Sequence, residues 1–259
     1  MHKAIRHTPV LEGLEAVSIT SDRSFPRHTH DTFGIGYIER GGQESWSGRG
    51  LVEAGAGDVI TVNPGEIQDG LALGGKVRTW HMVYLTPGAV ARFSDDDSAR
   101  DEFTAPVVRH WAIARTVTEA LTATMATAPE IDRIHETLML ALSAMKGAQV
   151  APGHTQERSA GVERMLAAIH DQWAEALSLD TMAKAAGMSR FQALRRFTAE
   201  VGMTPNAYLT QKRVNAARRM ILNGNALADT AIACGFSDQS HMTRTFARQF
   251  SVTPGKYRA

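Results

Sequence analysis

The sequence predicts an α+β chain of two domains: a small β-barrel followed by a helical hairpin, then an all-α domain built on two helix-turn-helix units. Three observations predict it. Short β-branched and aromatic runs alternate with turn signals over residues 10–86. The apolar period lengthens to that of a helix after Val107. A stretch of the last hundred residues then recurs 48 or 49 positions further on.

The β region carries runs at Gly34 to Ile38, Asp58 to Val62 and Trp80 to Leu85. Turn signals separate them at Arg40 to Gly42, Gly48 to Gly50, Gly55 to Asp58, Asn63 to Gly65 and Leu73 to Gly75. Such regular spacing implies a barrel or sandwich rather than βαβ units. Asp95 to Asp97 reads as a solvated linker. Beyond it, Trp111, Arg115, Thr118 and Leu121 share one helical stripe, with Val107 and Ala114 beside them. After Pro129, a helix opener, Ile131, Ile134, Leu138, Leu142 and Met145 form a cleaner stripe. The predicted divisions are a barrel at 1–104, a hairpin at 105–147, a polar linker at 148–158 and a helical domain at 159–259. That domain opens with a helix carrying Val162, Met165, Leu166 and Ile169 on one face and ending near Trp173.

Hydrophobic residues make up 43% of the chain and charged ones 21%, as in ordinary globular domains. Charges or glycines interrupt every apolar run before the ~18 residues of a membrane span. The first residues lack the apolar core of a signal peptide. One cysteine, Cys234, excludes an internal disulfide and a cysteine-based zinc cluster. These features predict a cytoplasmic protein without membrane contact. From Gly161 onward, 13 Lys and Arg face 7 Asp and Glu, whereas residues 1–160 hold 15 against 20. A basic module joined to an acidic one points to a nucleic-acid-binding half.

The repeat explains what that half is. Ala183, Gly187, Ser189, Arg195, Phe197, Thr204, Pro205 and Tyr208 recur as Ala231, Gly235, Ser237, Arg244, Phe246, Thr253, Pro254 and Tyr257. The offset is 48 at the glycines and 49 from the arginines on, which places one extra residue early in the second unit's second helix. Small alanines let two helices approach, each glycine ends the first helix, and each serine caps the next. Ser189 and Gln192 have capping-box spacing. Met188 and Phe236 bury under the turns, and Phe197 and Phe246 anchor the second helices.

A reading helix offers its first two turns to base edges. In the first unit these turns hold Arg190, Phe191, Gln192, Leu194 and Arg195. In the second they hold Gln239, Ser240, His241, Thr243 and Arg244. Arginine grips guanine with two bonds, Gln239 suits adenine or a phosphate, and Phe191 or Leu194 suits a thymine methyl. Arg196, Lys212, Arg213, Arg218, Arg219, Arg248 and Lys256 are expected on phosphates or on a solvated face.

On these residues, above all Ile232 to Phe246 and Thr253 to Arg258, the last hundred residues resemble the DNA-binding domain of the AraC/XylS family. The resemblance implies a bi-lobed helical domain whose two recognition helices, beginning at Ser189 and Ser237, enter adjacent major grooves. Arg27 to Asp31, Gly34, Gly57, Asp58 and Asn63 to Glu66 more loosely resemble the cupin-like sensor domain of such regulators.

In a cupin, His28 and His30 begin a metal site whose third ligand follows the Asn63 to Glu66 turn. This sequence has Gln68 there, a poor transition-metal ligand, so no metal, cofactor or catalytic residue is assigned. His28, His30, Glu66, Gln68 and Trp80 are instead expected to line an effector pocket. The expected partners are double-stranded DNA, a small-molecule effector, RNA polymerase and a second copy paired through the hairpin's apolar stripe. A metal-dependent cupin enzyme tethered to DNA by its tail is the alternative.

Overall fold

Alternation along the strands assigns two cores to the N-terminal unit, Met1–Thr155. The computed structural model describes residues 1–47, 50–93, 102–148, 158–250 and 252–258. Gly48, Arg49, the Asp95 to Asp97 stretch and residues 149–157 of the expected linker lie outside the described residues. Within the described part the strands are β1 (His2–His7), β2 (Leu14–Ser21), β3 (Phe25–Thr29), β4 (Phe33–Arg40) and β5 (Gly42–Ser47). They continue as β6 (Gly50–Gly55), β7 (Val59–Val62), β8 (Ile67–Ala72), β9 (Arg78–Leu85) and β10 (Val107–Val108). They form two antiparallel sheets, ordered β1-β2-β9-β4-β7-β10 and β3-β8-β5-β6.

Successive residues of β9 serve opposite faces, because side chains alternate across a strand. Trp80 and Met82 share an interior with Ile38, Ile60 and Val62 of their own sheet and Ala54 of the other. Val83 and Leu85 pack on the outer side with three helices. These are α1 (Pro87–Arg92), α2 (Trp111–Thr124) and α3 (Ile131–Gly147). Gly36 of β4 gives way to β9, since a Cβ there would lie 1.9 Å from the Met82 sulfur.

The hairpin departs from expectation in two ways. The stripe of Ile134, Leu138, Leu142 and Met145 is buried in its own unit against Val117, Leu121 and the sheet. These four therefore supply no exposed seam for a second copy, and Ile131, which opens the expected stripe, is 51% exposed. On α2 the buried residues are Val117, Ala120, Leu121, Ala123 and Thr124, while Trp111 is 75% exposed. Val107, expected beside that stripe, pairs in β10 with Ile60 of β7. The threonines tolerate this helix because Thr116, Thr118, Thr122 and Thr124 each donate to the carbonyl one turn back.

The second unit, Gln156–Ala259, is helical. Its elements are α4 (Ala160–Gln172), α5 (Leu179–Ala186), α6 (Arg190–Val201), α7 (Pro205–Leu222), α8 (Leu227–Ala233), α9 (Gln239–Phe250) and α10 (Pro254–Arg258). Thr204 caps α7 through the Ala207 N–H, with Pro205 in its first turn. Tyr208 of α7 meets Phe197 of α6 edge-on at 5.9 Å. Further along the same helix, Val214, Ala217 and Ile221 join Phe236, Met242, Phe246 and Tyr257 in a second core.

Two of the basic side chains expected at the surface are structural. Arg213 donates to the Trp173 and Glu175 carbonyls at 2.8 and 2.7 Å, closing the end of the α4–α5 connection. Arg218 is buried, its guanidinium 6.0 Å from the Phe250 ring.

Candidate nucleic-acid interface and ligand interior

Each reading helix stands on a turn that its own residues build. In the first unit Gly187 ends α5 in the left-handed region at φ 67°, donating to the Ala183 and Lys184 carbonyls. Ser189 then caps α6: its hydroxyl accepts from the Gln192 N–H at 3.3 Å, and Gln192 Oε1 accepts from the Ser189 N–H at 3.1 Å. The box engages Oε1 of Gln192 and leaves its Nε2 donors for a partner. Arg190, Phe191, Gln192, Leu194 and Arg195 are all exposed, and Phe191 is 72% exposed although wholly apolar. Ala193, Phe197 and Val201 form the buried face.

In the second unit the cap lies one residue beyond the expected serine. The His241 N–H donates to Asp238 Oδ1 at 2.7 Å, while the Ser237 hydroxyl donates to Asp238 Oδ2 at 3.1 Å. The extra residue of this unit thus sits in the turn, and the two reading helices match without a gap. Ser189 corresponds to Asp238, Gln192 to His241 and Arg195 to Arg244. Gln239, Ser240 and Arg244 are exposed, whereas His241 and Thr243 are half-buried. The His241 ring stands edge-on to Phe236 at 5.3 Å. Met242 and Phe246 are fully buried. Arg196, Arg248 and Lys256 are exposed.

In the N-terminal unit the structure brings some of the expected pocket residues together and separates one. His28 of β3 is the register partner of Gln68 of β8. The His28 ring meets His30 at 5.0 Å, and His30 stacks on Tyr84 at 4.9 Å. His28 Nδ1 lies 2.7 Å from the Pro26 carbonyl, and burial holds the imidazole below its usual pKa, favouring the neutral ring.

Trp80 meets Phe25 edge-on at 5.6 Å. Glu66 is turned to its own loop, accepting from the Asn63 N–H at 3.1 Å and from Asn63 Nδ2 at 3.0 Å. Asn63 in turn clips Phe103, donating to its carbonyl at 3.0 Å and accepting from its N–H at 2.8 Å. Among the described residues no three His, Cys, Asp or Glu side chains are grouped as a metal site.

Arg78, Gln43, Phe25 and Tyr84 join this interior without having been expected there. Arg78 Nε donates to Gln43 Oε1 at 3.2 Å, and its guanidinium lies 4.8 Å from the Trp80 ring. The available signal was spacing: Arg78, Trp80, Met82 and Tyr84 occupy alternate positions of one strand.

Comparison with known proteins matches both halves. The profile of the AraC-like ligand binding domain covers residues 12–143, and a helix-turn-helix domain profile covers residues 182–259. An uncharacterised HTH-type transcriptional regulator of Bacillus subtilis, YbfI, is 26% identical over 235 residues, 85% of this chain and 82% of the relative. The HTH-type transcriptional activator RhaS of an Enterobacter species is 26% identical over 252 residues, 91% of this chain and 88% of the relative. The crystal structure of ToxT from Vibrio cholerae superposes with a TM-score of 0.55 at 9% identity, covering 96% of this chain and 98% of its own. That likeness is one of fold.

Proposed function

The chain belongs to the AraC family of DNA-binding transcription regulators, with the ligand-binding domain at its N-terminal end, and from this premise we propose which residues carry each task. The tips of α6 and α9 read base edges, with Arg195 and Arg244 as the equivalent guanine-gripping side chains. One observation carries this reading: both arginines are exposed at matching positions on two separately capped helices. Arg190, Phe191, Gln192 and Leu194 complete the first reading surface, and Gln239, Ser240, His241 and Thr243 the second. Arg196, Arg248 and Lys256 hold phosphates. A small-molecule effector lies in the N-terminal interior against His28, His30, Gln68 and Trp80, while Glu66 serves the loop that frames it.

The test is a footprint with a salt titration. Two protected segments about one helical turn, ~34 Å, apart are expected. Affinity falls by orders of magnitude between ~50 and ~200 mM salt. Protection of a single groove would remove the tandem reading.

The relatives found are regulators, and the comparisons lend no support to the DNA-tethered enzyme. The same reading makes the protein cytoplasmic and sets it beside RNA polymerase. It also includes a homodimer through the hairpin, where Ile131, Met139 and Leu140 of α3 are exposed. Sedimentation as a monomer at micromolar concentration, with and without DNA, removes the dimer.

A further inference from the structure

Arg78 opens β9 and is 1% exposed, the largest fully buried side chain among the described residues. Its Nε donates to Gln43 Oε1 at 3.2 Å, Nη1 to the Arg23 carbonyl at 3.1 Å and Nη2 to the Gly70 carbonyl at 3.3 Å. Its guanidinium faces the Trp80 ring at 4.8 Å and the Phe25 ring at 5.6 Å. Every one of these acceptors is neutral. Among the described residues Arg78 has no carboxylate partner, and burial alone, with no opposing negative charge, pushes its pKa down to about 10. A guanidinium carries five N–H donors, so two remain for another acceptor. Buried charges are ordinarily paired, because removal from water is costly for the lone ion.

The sheet opposite Arg78 has an unusual lining. A Cβ on Gly70 would point at Arg78 Nη2, 3.3 Å away, so this position of β8 faces the interior. By alternation Gln68 shares that face, with His28 beside it in register. On β5, Gln43 reaches Arg78 and also donates to the Ser45 hydroxyl at 3.0 Å, so both look inward. A sandwich core is normally closed by apolar side chains on both inner faces. Here one face offers Trp80, Met82 and Tyr84, and the other sets the half-buried amides of Gln43 and Gln68, the Ser45 hydroxyl and the His28 imidazole beside Phe25 and Ala54. Aromatic walls with a few convergent polar groups describe a ligand site.

We propose that the effector is a small organic carboxylate whose anionic group pairs with the Arg78 guanidinium and whose body lies against Trp80 and Phe25. This rests on the reading of the same interior as the effector site. A brace without a ligand would also use the three neutral hydrogen bonds, and the experiment separates the two.

Thermal unfolding of the full chain is followed with benzoate and hexanoate, and with benzamide and hexanamide as uncharged counterparts, at matched ionic strength. At least one acid raises Tm by several degrees at saturation, with a half-saturating concentration at least about tenfold below that of its amide. Gln43→Glu sets a carboxylate on Arg78 Nε within the chain. This variant is expected to raise Tm without ligand and to abolish the response to the acids.

Acids and amides acting alike, or neither acting, overturns the proposal, as does an undiminished response in Gln43→Glu. The contrast on the unaltered protein stands whether or not the variant folds. DNA affinity measured with the same compounds tells the two readings apart. Amides that change DNA binding as the acids do leave the sensor and remove the Arg78 pairing. An acid that stabilises the chain without changing DNA affinity leaves the pairing and removes the sensor.

Discussion

Gly187 and Gly235 hold the same left-handed turn, at φ 67° and 70°, in different surroundings. A Cβ on Gly187 meets open space, whereas on Gly235 it would lie 2.5 Å from the Ala174 carbonyl oxygen and 3.1 Å from the Arg213 guanidinium carbon. The second turn is thus wedged against the α4–α5 connection, and the first is free at its tip. The helices that follow differ in the same spirit. α6 carries a neutral capping box and an exposed apolar pair, Phe191 and Leu194, between arginines. α9 is capped by a carboxylate and presents amide, hydroxyl and imidazole groups around Arg244. One scaffold used twice keeps its buried residues and varies its tips. Packing constrains Ala183 and Ala231, Phe197 and Phe246, while the exposed positions at the helix tips remain open to different chemistry.

The sharpest break in the comparison is expected at the glycines. Gly235→Ala costs on the order of 3 kcal/mol, from the left-handed backbone together with the clash, and Gly187→Ala about 1 kcal/mol, from the backbone alone. Urea unfolding of each variant measures both. Equal costs would mean that the Ala174 carbonyl yields, and that the turns are equivalent after all.

Binding comes next. Arg195→Ala and Arg244→Ala should each weaken the specific site by roughly 1–3 kcal/mol, and Lys256→Ala should weaken all sequences alike. Titrations against specific and random duplexes compare them. Equal losses on both duplexes for the arginine variants would reassign those side chains to phosphates.

The caps give the smallest effect. The His241 N–H, chiefly, holds the Asp238 carboxyl below the usual carboxylate range. Its stabilisation is therefore complete above the unfolded value of 3.8 and is lost as pH falls through the lower folded value. Ser189 has no such titration. Thermal unfolding from about pH 5 to about pH 2 should show a slope that Asp238→Asn flattens and Ser189→Ala leaves in place. An unchanged slope in Asp238→Asn would deny the carboxylate its role.

The repeat was legible because its signals are local: a glycine that must turn, a hydroxyl that must cap and a phenylalanine that must bury. The same logic misplaced the second cap. Ser237 and Asp238 are both good cap formers, and the length of the turn, which only packing sets, selects the aspartate. Of the expected α3 stripe, Ile134, Leu138, Leu142 and Met145 bury within their own unit while Ile131 is exposed, since a stripe does not say whether its own sheet or another chain covers it. On α2, Trp111 drew the expected face toward itself, while the real contact is made by Val117, Ala120 and Leu121. The strand β1 escaped notice because its residues are mostly polar, and its register with β2 supplies what its composition does not. In the N-terminal half, His28 and Gln68 were singled out by motif, whereas Arg78 carried only the alternate spacing of its strand. A lone arginine at the start of a strand looks like a solvated edge until the opposite sheet is seen to bury it.

One contact at the start of the second unit has a mechanical meaning. The Ser159 N–H donates to Glu200 Oε2 at 2.7 Å, and its hydroxyl donates to the same carboxylate at 2.9 and 3.0 Å. Ser159 precedes α4, and Glu200 lies near the C-terminal end of α6. The first turn of α4 therefore cannot fray without letting go of the reading helix. The joint behaves as a clamp rather than a swivel. A pull on the chain at Ser159 is delivered to the end of α6 before it can be absorbed as slack.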